Sequence, residues 1–518
     1  MERINILWAD DEIDLLKPHI LFLQEKGYEV QTANSGDVAL DLIRQKNFDV
    51  VFLDENMPGL SGLETLNRMK NEQPHLPVIM ITKSEEERIM EDAIGSKISD
   101  YLIKPVNPNQ ILLSLKKTLD NKRLIGEKAA SGYQQDFRNI GMQLSDRLGF
   151  REWCDIYRKI VYWELELERS KDESMSEILV TQKREANTLF SKFIEQNYIN
   201  WLSGKDKAPP VLSHTLLRAK LFPVIEKESS TFLVVIDNLR YDQWKVIQPI
   251  ISEYFRVDAE ELYCSILPTA TQYARNALFA GLMPSEIQKL HAPLWKNEDE
   301  EGSKNASEDE LLAANFKRSA KDVKFSYNKI SNHAAGKKLA ENFNNLLQNR
   351  LNVIVYNFVD MLSHARTEME VIRELADDEK AYRSITVSWF ENSPLLDMLR
   401  QVAEKKAKLI ITTDHGTIRV TEPTKIVGDK NVNTNLRYKT GKTLGGYDKR
   451  DVFEVKNPQD IFLPRHNVSS TYVFAKQDLF FAYPNNYNYY VTYYRNTFQH
   501  GGISLEEMLV PYITLSAK

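Results

Sequence analysis

The sequence predicts a multidomain α/β protein in which two α/β regions flank a helical stretch. Three observations carry that expectation. Over the first 120 residues, five short apolar runs alternate with amphipathic ones. From 121 to 202 the chain is polar, helically periodic and poor in proline and glycine. After 210, apolar runs that end in Asp, Thr or His resume and continue to the end. At 518 residues the chain is too long for one core, and a prior of about 100–200 residues per domain gives about three units. The expected boundaries are 1–120, 121–210 and 211–518.

Composition excludes several classes. A formal charge of −6 on a chain of this size provides no global basic field for bulk nucleic-acid binding. The two cysteines, Cys154 and Cys264, match no zinc-ribbon spacing and read as buried, small apolar residues of a reducing compartment. The opening MERINILWADDEID is acidic where a secretory signal needs an apolar run. No stretch approaches the roughly 20 apolar residues that span a bilayer. The expectation is a cytoplasmic protein with no membrane insertion.

In the first region, 4–10, 28–33, 49–56, 77–82 and 100–105 read as buried parallel strands. Helical apolar spacing occupies 12–26, 35–46, 60–72, 85–95 and 107–119. Five βα units make a doubly wound sheet, and such sheets collect their chemistry at the carboxyl ends of the strands. Those ends carry Asp10-Asp11, Asp54, Thr82 and Lys104-Pro105. Three carboxylates brought together repel one another unless a hard cation such as Mg²⁺ lies among them. Asp54 is then the nucleophile for a phosphoryl group, Lys104 pairs with phosphoryl oxygen, and Thr82 can hydrogen-bond to it.

This set resembles the receiver domain of two-component response regulators over residues 3–120. The MPGLSG of 57–62 matches the loop that follows the phosphorylated aspartate in that family. Tyr101 matches its aromatic switch position. The resemblance implies a sensor histidine kinase as phosphodonor. It also implies that phosphorylation repacks Thr82 and Tyr101 and remodels the 85–119 face into a homodimer contact.

Residues 121–202 read as a small helical bundle, carried by IYRKIVYWELELERS and EILVTQKREANTLFSKFIEQNYINWL. SGKDKAPP (203–210) has linker chemistry. A helix-turn-helix DNA reader needs a compact basic helix, and this stretch provides no convincing one. A helical connector between switch and output is the expectation.

In the third region, STFLVVIDNLRYDQW ends a strand at Asp237, and CSILPTATQYARNALF places Thr269 and Thr271 at a helix start. VIVYNFVDMLSHAR ends a strand near Asp360, with His364 four positions on. KLIITTDHGT ends in Asp414-His415-Gly416, and FQHGGISLEEMLVPYITL puts His500 before a Gly-Gly turn and a last strand. Nitrogen and carboxylate ligands suit Zn²⁺, with Mn²⁺ second. Two such cations could clamp a phosphoryl group and activate an alcohol.

The ordered set resembles the alkaline phosphatase superfamily, and its PglZ branch, over 211–518. Pro-Thr-x-Thr at 268–271, followed by a helix and Gly-Leu-Met-Pro, is similar to the nucleophile segment of pyrophosphatase/phosphodiesterase members. The resemblance makes Thr271, not Thr269, the nucleophile. It assigns Asp237, Thr271, Asp414 and His415 to one Zn²⁺, and Asp360, His364 and His500 to a second. Asn238 stands where many relatives have glycine. CSILP lacks the Cys/Ser-x-Pro-x-Arg of sulfatases, which disfavours that activity. No arginine of the kind that grips a phosphate monoester is recognisable, which favours a diester.

Three further stretches bear on substrate. RYKTGKTLGGYDKR (437–450) has five basic residues against one acidic. It reads as an exposed insertion in which Arg437, Lys439 and Lys442 could hold an oligonucleotide, with tyrosine faces for stacking. YPNNYNYYVTYYR (483–495) reads as a strand with tyrosines on both faces. The acidic 297–310 reads as a mobile surface loop.

Together these parts resemble a family of response regulators of Bacteroidota linked to type IX secretion, with a sigma factor or secretion-motor component as implied partners. The function expected is a zinc-dependent phosphodiesterase for linear or cyclic oligonucleotides, controlled through Asp54. The alternative is a signalling scaffold or transcriptional regulator that acts through those protein partners and uses the metal domain as a binding module.

Overall fold

The computed structural model describes residues 4–74, 76–83, 98–170, 173–368, 378–428, 433–465 and 469–518, without the side chains of 120–131, 173–174 and 364–368. The chain forms two compact units, residues 1–134 with 169–172, and residues 135–168 with 173–518. The expected helix at 85–95 lies outside the described residues.

In the first unit, β1 (Asn5–Ala9), β2 (Glu29–Ala33), β3 (Val50–Asp54), β4 (Val78–Thr82) and β5 (Asp100–Ile103) form one sheet in the order β2-β1-β3-β4-β5. All pairings are parallel. Strand residues alternate between two covered faces, as the period of two requires. Leu7, Val51, Leu53 and Val78 pack on one face, while Ile6, Trp8, Phe52 and Ile79 pack on the other. The expected strands 4–10, 28–33, 49–56, 77–82 and 100–105 all appear, trimmed at their ends.

The loop after Asp54 owes its residues to two constraints. Ser61 and Glu64 form a reciprocal capping box at the start of the helix Gly62–Glu72, at 3.0 and 3.2 Å. A Cβ on Gly62 would meet the Asp54 carbonyl oxygen at 2.4 Å, so only glycine allows that approach. The helix expected over 107–119 does not stop there. It continues as Pro108–Leu144, because nothing in 119–144 breaks it.

The second unit is built on a six-stranded sheet. Its strands are β6 (Thr231–Ile236), β7 (Phe255–Cys264), β8 (Phe325–Ile330), β9 (Leu351–Tyr356), β10 (Lys408–Thr412) and β18 (Leu509–Ala517), in the order β7-β18-β10-β6-β9-β8. Strands β10, β6, β9 and β8 run parallel, so their carboxyl ends share one edge. Strand β18 runs antiparallel to β10 and therefore begins at that same edge. Strands β6 and β9 are buried along their whole length, which explains the apolar runs Phe232–Ile236 and Val353–Tyr356 within them. Both cysteines are buried, as expected.

Smaller sheets frame the edge. The two-residue strands β11 (Ile418–Arg419) and β17 (Phe498–Gln499) pair with each other. Strands β12 (Glu422–Lys425) and β16 (Leu479–Ala482) pair in parallel. Strands β13 (Tyr438–Gly441), β14 (Val452–Val455) and β15 (Thr471–Ala475) make a third sheet. The tyrosine-rich stretch is not a strand: Tyr487–Tyr494 is a helix. Tyr487, Val491 and Tyr494 recur at helical spacing and pack against Ile418, Val420, Phe480 and Ala482.

Residues 150–168 of the helix Phe150–Ser170, and the helix Glu173–Leu202, group with this second unit. Trp153 meets Phe190 edge-on at 5.4 Å. A buried ionic network joins them to the sheet's own helices. Lys183 reaches Glu164 at 2.8 Å and Glu506 at 2.9 Å. Arg383 spans Glu168 at 2.5 Å and Asp242 at 2.9 Å, and Arg240 spans Asp242 and Glu379, each at 2.5 Å. Burial alone would raise the Asp242 carboxyl, but the charges of Arg240 and Arg383 hold it well below the usual carboxylate range.

Removing Asp242 would leave two buried guanidiniums without their shared partner. Asp242→Ala is expected to destabilise this unit by roughly 3–5 kcal/mol, seen as a lowered melting transition in calorimetry. An unchanged transition would show that the network adds nothing to stability.

Candidate metal centre and phosphoacceptor site

At the carboxyl edge of the six-stranded sheet, Asp237 follows β6 directly, while Asp414 and His415 follow β10 after one intervening residue. Their ligand atoms lie within 4.8 Å of one another, and all three residues are buried. Strands β10 and β6 are neighbours in the sheet, so these side chains converge at its carboxyl edge, where open α/β sheets bind ligands. Thr271 is the first residue of the helix Thr271–Ala280. Its hydroxyl lies 3.0 Å from His415 Nε2 and 3.4 Å from Asp237 Oδ1.

A second group sits beside the first. Asp360 lies in the first turn of the helix Phe358–Glu368, and its Oδ1 is 3.6 Å from His500 Nε2. The rings of His415 and His500 stack with centroids 4.3 Å apart. The side chain of His364, four residues after Asp360, lies outside the described residues. Asn238 links the groups: its backbone N–H donates to Asp414 Oδ1 at 3.5 Å, and its side-chain Nδ2 donates to Asp360 Oδ1 at 3.4 Å and to Ser363 Oγ at 3.3 Å. Asn238 has φ +66°, a left-handed conformation that asparagine tolerates better than other side chains, so it can replace glycine here.

The donor set fits divalent cations. His415 Nδ1 lies 3.1 Å from the Gly416 carbonyl and His500 Nδ1 lies 3.1 Å from the Thr269 carbonyl. With a proton on each Nδ1, each Nε2 lone pair faces the cluster, which is the second-sphere pattern of metal-bound imidazole. Burial pushes the His415 pKa down, favouring the neutral ring. Burial, and then the Asp237 charge, push the Asp414 carboxyl well above its ordinary value, and its Oδ2 is a buried atom without a hydrogen-bond partner. A cation among these oxygens would remove both penalties.

The two threonines have different surroundings. Thr269 is fully buried; its hydroxyl donates to the Gly502 carbonyl at 2.9 Å and accepts from the Gly501 amide at 3.0 Å. It ties down the turn that carries His500, while Thr271 faces the ligand cluster.

Of the three basic residues expected to meet substrate, Lys442 is exposed. Arg437 and Lys439 are fully buried. Arg437 donates from Nε and Nη2 to Glu507, at 3.2 and 2.6 Å, so it serves the fold rather than an exposed basic loop. Lys439 donates to the Asn433 carbonyl at 2.7 Å. Sequence spacing could not show this, because Glu507 is 70 residues away.

The acidic stretch 297–310 also differs from the mobile loop expected. Lys304 Nζ donates to the Asn297 carbonyl at 2.6 Å, and Asn305 Nδ2 donates to the Thr271 carbonyl at 3.0 Å. Sequence reasoning missed Asn305, Glu308 and Arg275, all of which adjoin the cluster. Arg275, one turn after Thr271, is buried with Nη1 2.6 Å from Asp237 Oδ2.

In the first unit, Asp10, Asp11 and Asp54 bring ligand atoms within 4.8 Å of one another. Lys104 Nζ lies 2.8 Å from both Asp10 Oδ2 and Asp54 Oδ1. Burial raises the Asp54 carboxyl against the opposing pull of Lys104. Thr82 is buried at the end of β4, while Tyr101 on β5 is 39% exposed. A carboxylate site with one fixed ammonium suits Mg²⁺ and an incoming phosphoryl group.

Three family models match successive stretches of the chain. A family model described as response regulator receiver domain matches residues 6–116, and one described as PorX response regulator linker domain matches 123–202. A model described as BREX system PglZ alkaline phosphatase-like domain matches 216–515. The transcriptional regulatory protein ZraR of Klebsiella oxytoca is 36% identical over 123 residues, 24% of this chain and 28% of that protein. The alginate biosynthesis transcriptional regulatory protein AlgB of Pseudomonas putida is 35% identical over 120 residues, 23% of this chain and 27% of that protein. These matches span less than a third of the curated relatives. A CheY-like receiver domain protein from Methanospirillum hungatei is 28% identical, with a TM-score of 0.23, and the match covers 23% of this chain and 96% of that one. No helix among the described residues is long and apolar enough to cross a membrane. With that match over more than half of its length, the chain belongs to the PglZ alkaline phosphatase-like family, in the PorX-like order of receiver, linker and PglZ domain.

Proposed function

We propose that this response regulator is phosphorylated on Asp54 by a sensor histidine kinase and that its output is a zinc-dependent phosphodiesterase acting on linear or cyclic oligonucleotides. In this reading 1–120 is the switch, 121–210 the connector and 211–518 the catalytic domain. The observation that carries it is the Thr271 hydroxyl, set between His415 Nε2 and Asp237 Oδ1 inside a buried carboxylate and imidazole cluster.

Asp237, Thr271, Asp414 and His415 would hold one Zn²⁺, and Asp360, His364 and His500 the other. Bound there, the cations would ease ionisation of the threonine hydroxyl and neutralise phosphoryl oxygens. The rest is work for the chain's own residues. Thr271 attacks phosphorus and expels the alcohol, and water then releases the phosphoryl group from the threonine. Because Thr271 opens its helix, the phosphoryl oxygens meet the helix's first N–H groups and the positive end of its dipole.

A diester fits better than a monoester. The buried Arg240, Arg275 and Arg437 each face carboxylates, namely Asp242 and Glu379, Asp237 and Glu308, and Glu507. Arg383 likewise faces Glu168 and Asp242, so no buried arginine among the described side chains is left to grip the extra charge of a terminal phosphate. Lys442 is the exposed candidate for backbone phosphates of the substrate.

In the receiver, Asp10, Asp11 and Asp54 would hold Mg²⁺, and Lys104 would meet the phosphoryl oxygens. Thr82 and Tyr101 would report the change and shift the chain toward a homodimer. The family resemblance extends the proposal to control of type IX secretion, with a sigma factor or secretion-motor component as partner.

Thr271→Val is expected to abolish turnover of a chromogenic phosphodiester in zinc while leaving the melting transition unchanged; surviving turnover would remove Thr271 from the reaction. Thr269→Val, which strands the Gly501 amide and Gly502 carbonyl, is expected instead to destabilise the unit by about 1–3 kcal/mol. Chelation of zinc should abolish turnover and its return restore it. Bound zinc without turnover of mono-, di- or cyclic nucleotides would favour the scaffold reading. Beryllofluoride should raise the sedimenting mass of the full chain, and Asp54→Asn should block that rise. A constant mass at every concentration would count against the switch.

A further inference from the structure

Arg275 stands one helical turn after Thr271, so the two side chains project from the same face of the helix Thr271–Ala280. Its guanidinium is 1% exposed and spans carboxylates from separate elements. Nη1 lies 2.6 Å from Asp237 Oδ2 and 3.9 Å from Asp414 Oδ2, while Nε lies 2.5 Å from Glu308 Oε1. Glu308, the first residue of the helix Glu308–Arg318, has a fully buried side chain. Its Oε2 accepts from the Tyr327 hydroxyl and lies 3.5 Å from Lys329 Nζ.

These contacts close into a ring. Lys329 donates to the Asn305 carbonyl at 3.0 Å, and Asn305 donates to the Thr271 carbonyl at 3.0 Å. The Thr271 hydroxyl in turn lies 3.4 Å from Asp237 Oδ1. The circuit runs Thr271, Asn305, Lys329, Glu308, Arg275, Asp237 and back to Thr271. It divides the two oxygens of Asp237: Oδ2 is held by Arg275, and Oδ1 is turned toward Thr271 and His415.

We infer that Arg275 and Glu308 are a positioning pair that aims Asp237 Oδ1 into the metal centre and locks it to the Thr271 backbone through Asn305 and Lys329. The inference rests on Asp237 being a metal ligand. Arginine is required because its fork satisfies two carboxylates at fixed spacing, whereas a lysine ammonium is a single point charge on a flexible stem. Outer partners of this kind orient a ligand and raise its affinity for the metal, and losing one typically weakens binding by about 10–100-fold.

The test measures zinc affinity of the full chain by competition with a chromogenic chelator, with melting curves recorded on the zinc-free protein. Arg275→Lys keeps the charge but cannot bridge Asp237 and Glu308, and its zinc affinity should fall by about 10–100-fold. Glu308→Gln keeps an acceptor for Arg275 Nε and should fall less than Arg275→Lys. Zinc affinity equal to the unsubstituted chain in Arg275→Lys, with only the melting curve lowered, would make the pair purely structural and overturn the inference. An unsubstituted chain that binds zinc without hydrolysing any diester would sink the diesterase reading and leave the pair intact.

Discussion

Acidic side chains buried at the carboxyl edge of a parallel sheet must find positive charge, and much of the second unit is arranged around that need. Asp237 and Asp414 converge where β6 and β10 end, and Asp360 joins them from the helix after β9. Arg275 brings one fixed positive charge, but Glu308 cancels it from the other side. The imidazoles of His415 and His500 are bound to backbone carbonyls through Nδ1 and present Nε2 inward. The balance left over suits divalent cations, and the same edge presents the hydroxyl of Thr271. The receiver solves the same problem on a smaller scale, with three aspartates and one lysine at the edge of a five-stranded sheet.

A second layer of buried charge joins the helices 150–202 to the sheet. Its meeting point is the segment just before β18. The buried Glu506 meets Lys183 and Asn187, while the adjacent Glu507 holds Arg437 and accepts from the Gly502 amide. One short segment thus anchors the helical layer and the turn that carries His500. Leu267, just before the Pro-Thr-x-Thr, is held by the Tyr198 hydroxyl at 2.9 Å, so the same helices also brace the approach to Thr271. Buried pairs of this kind gain little relative to apolar packing, but losing one partner is costly. The network therefore constrains geometry more than it adds stability.

Much of this was legible in the chain itself. The five receiver strands, the strands that lead into Asp237 and Asp414, and the helix beginning at Thr271 all follow from local period and from polar residues placed just past strand ends. The tyrosine run was misread because Tyr is as common in strands as its ring is useful on a helix packed at one face, and Tyr487, Val491 and Tyr494 find that face only in the fold. Arg437 and Lys439 looked exposed because a basic run usually is. Glu507 and the Asn433 carbonyl bury them instead.

Local sequence dictates which residues stand at the ends of which strands and, through them, the chemistry the two sheets can gather. Those features depend on hydrogen bonding and apolar period within a few residues. How the charges are shared is set by the folded chain: Arg275 with Asp237 and Glu308, Arg383 with Asp242 and Glu168, Arg437 with Glu507. Such partners are 33 to 215 residues apart, and a buried charge takes its partner from whatever the fold brings within reach. No local spacing records that choice.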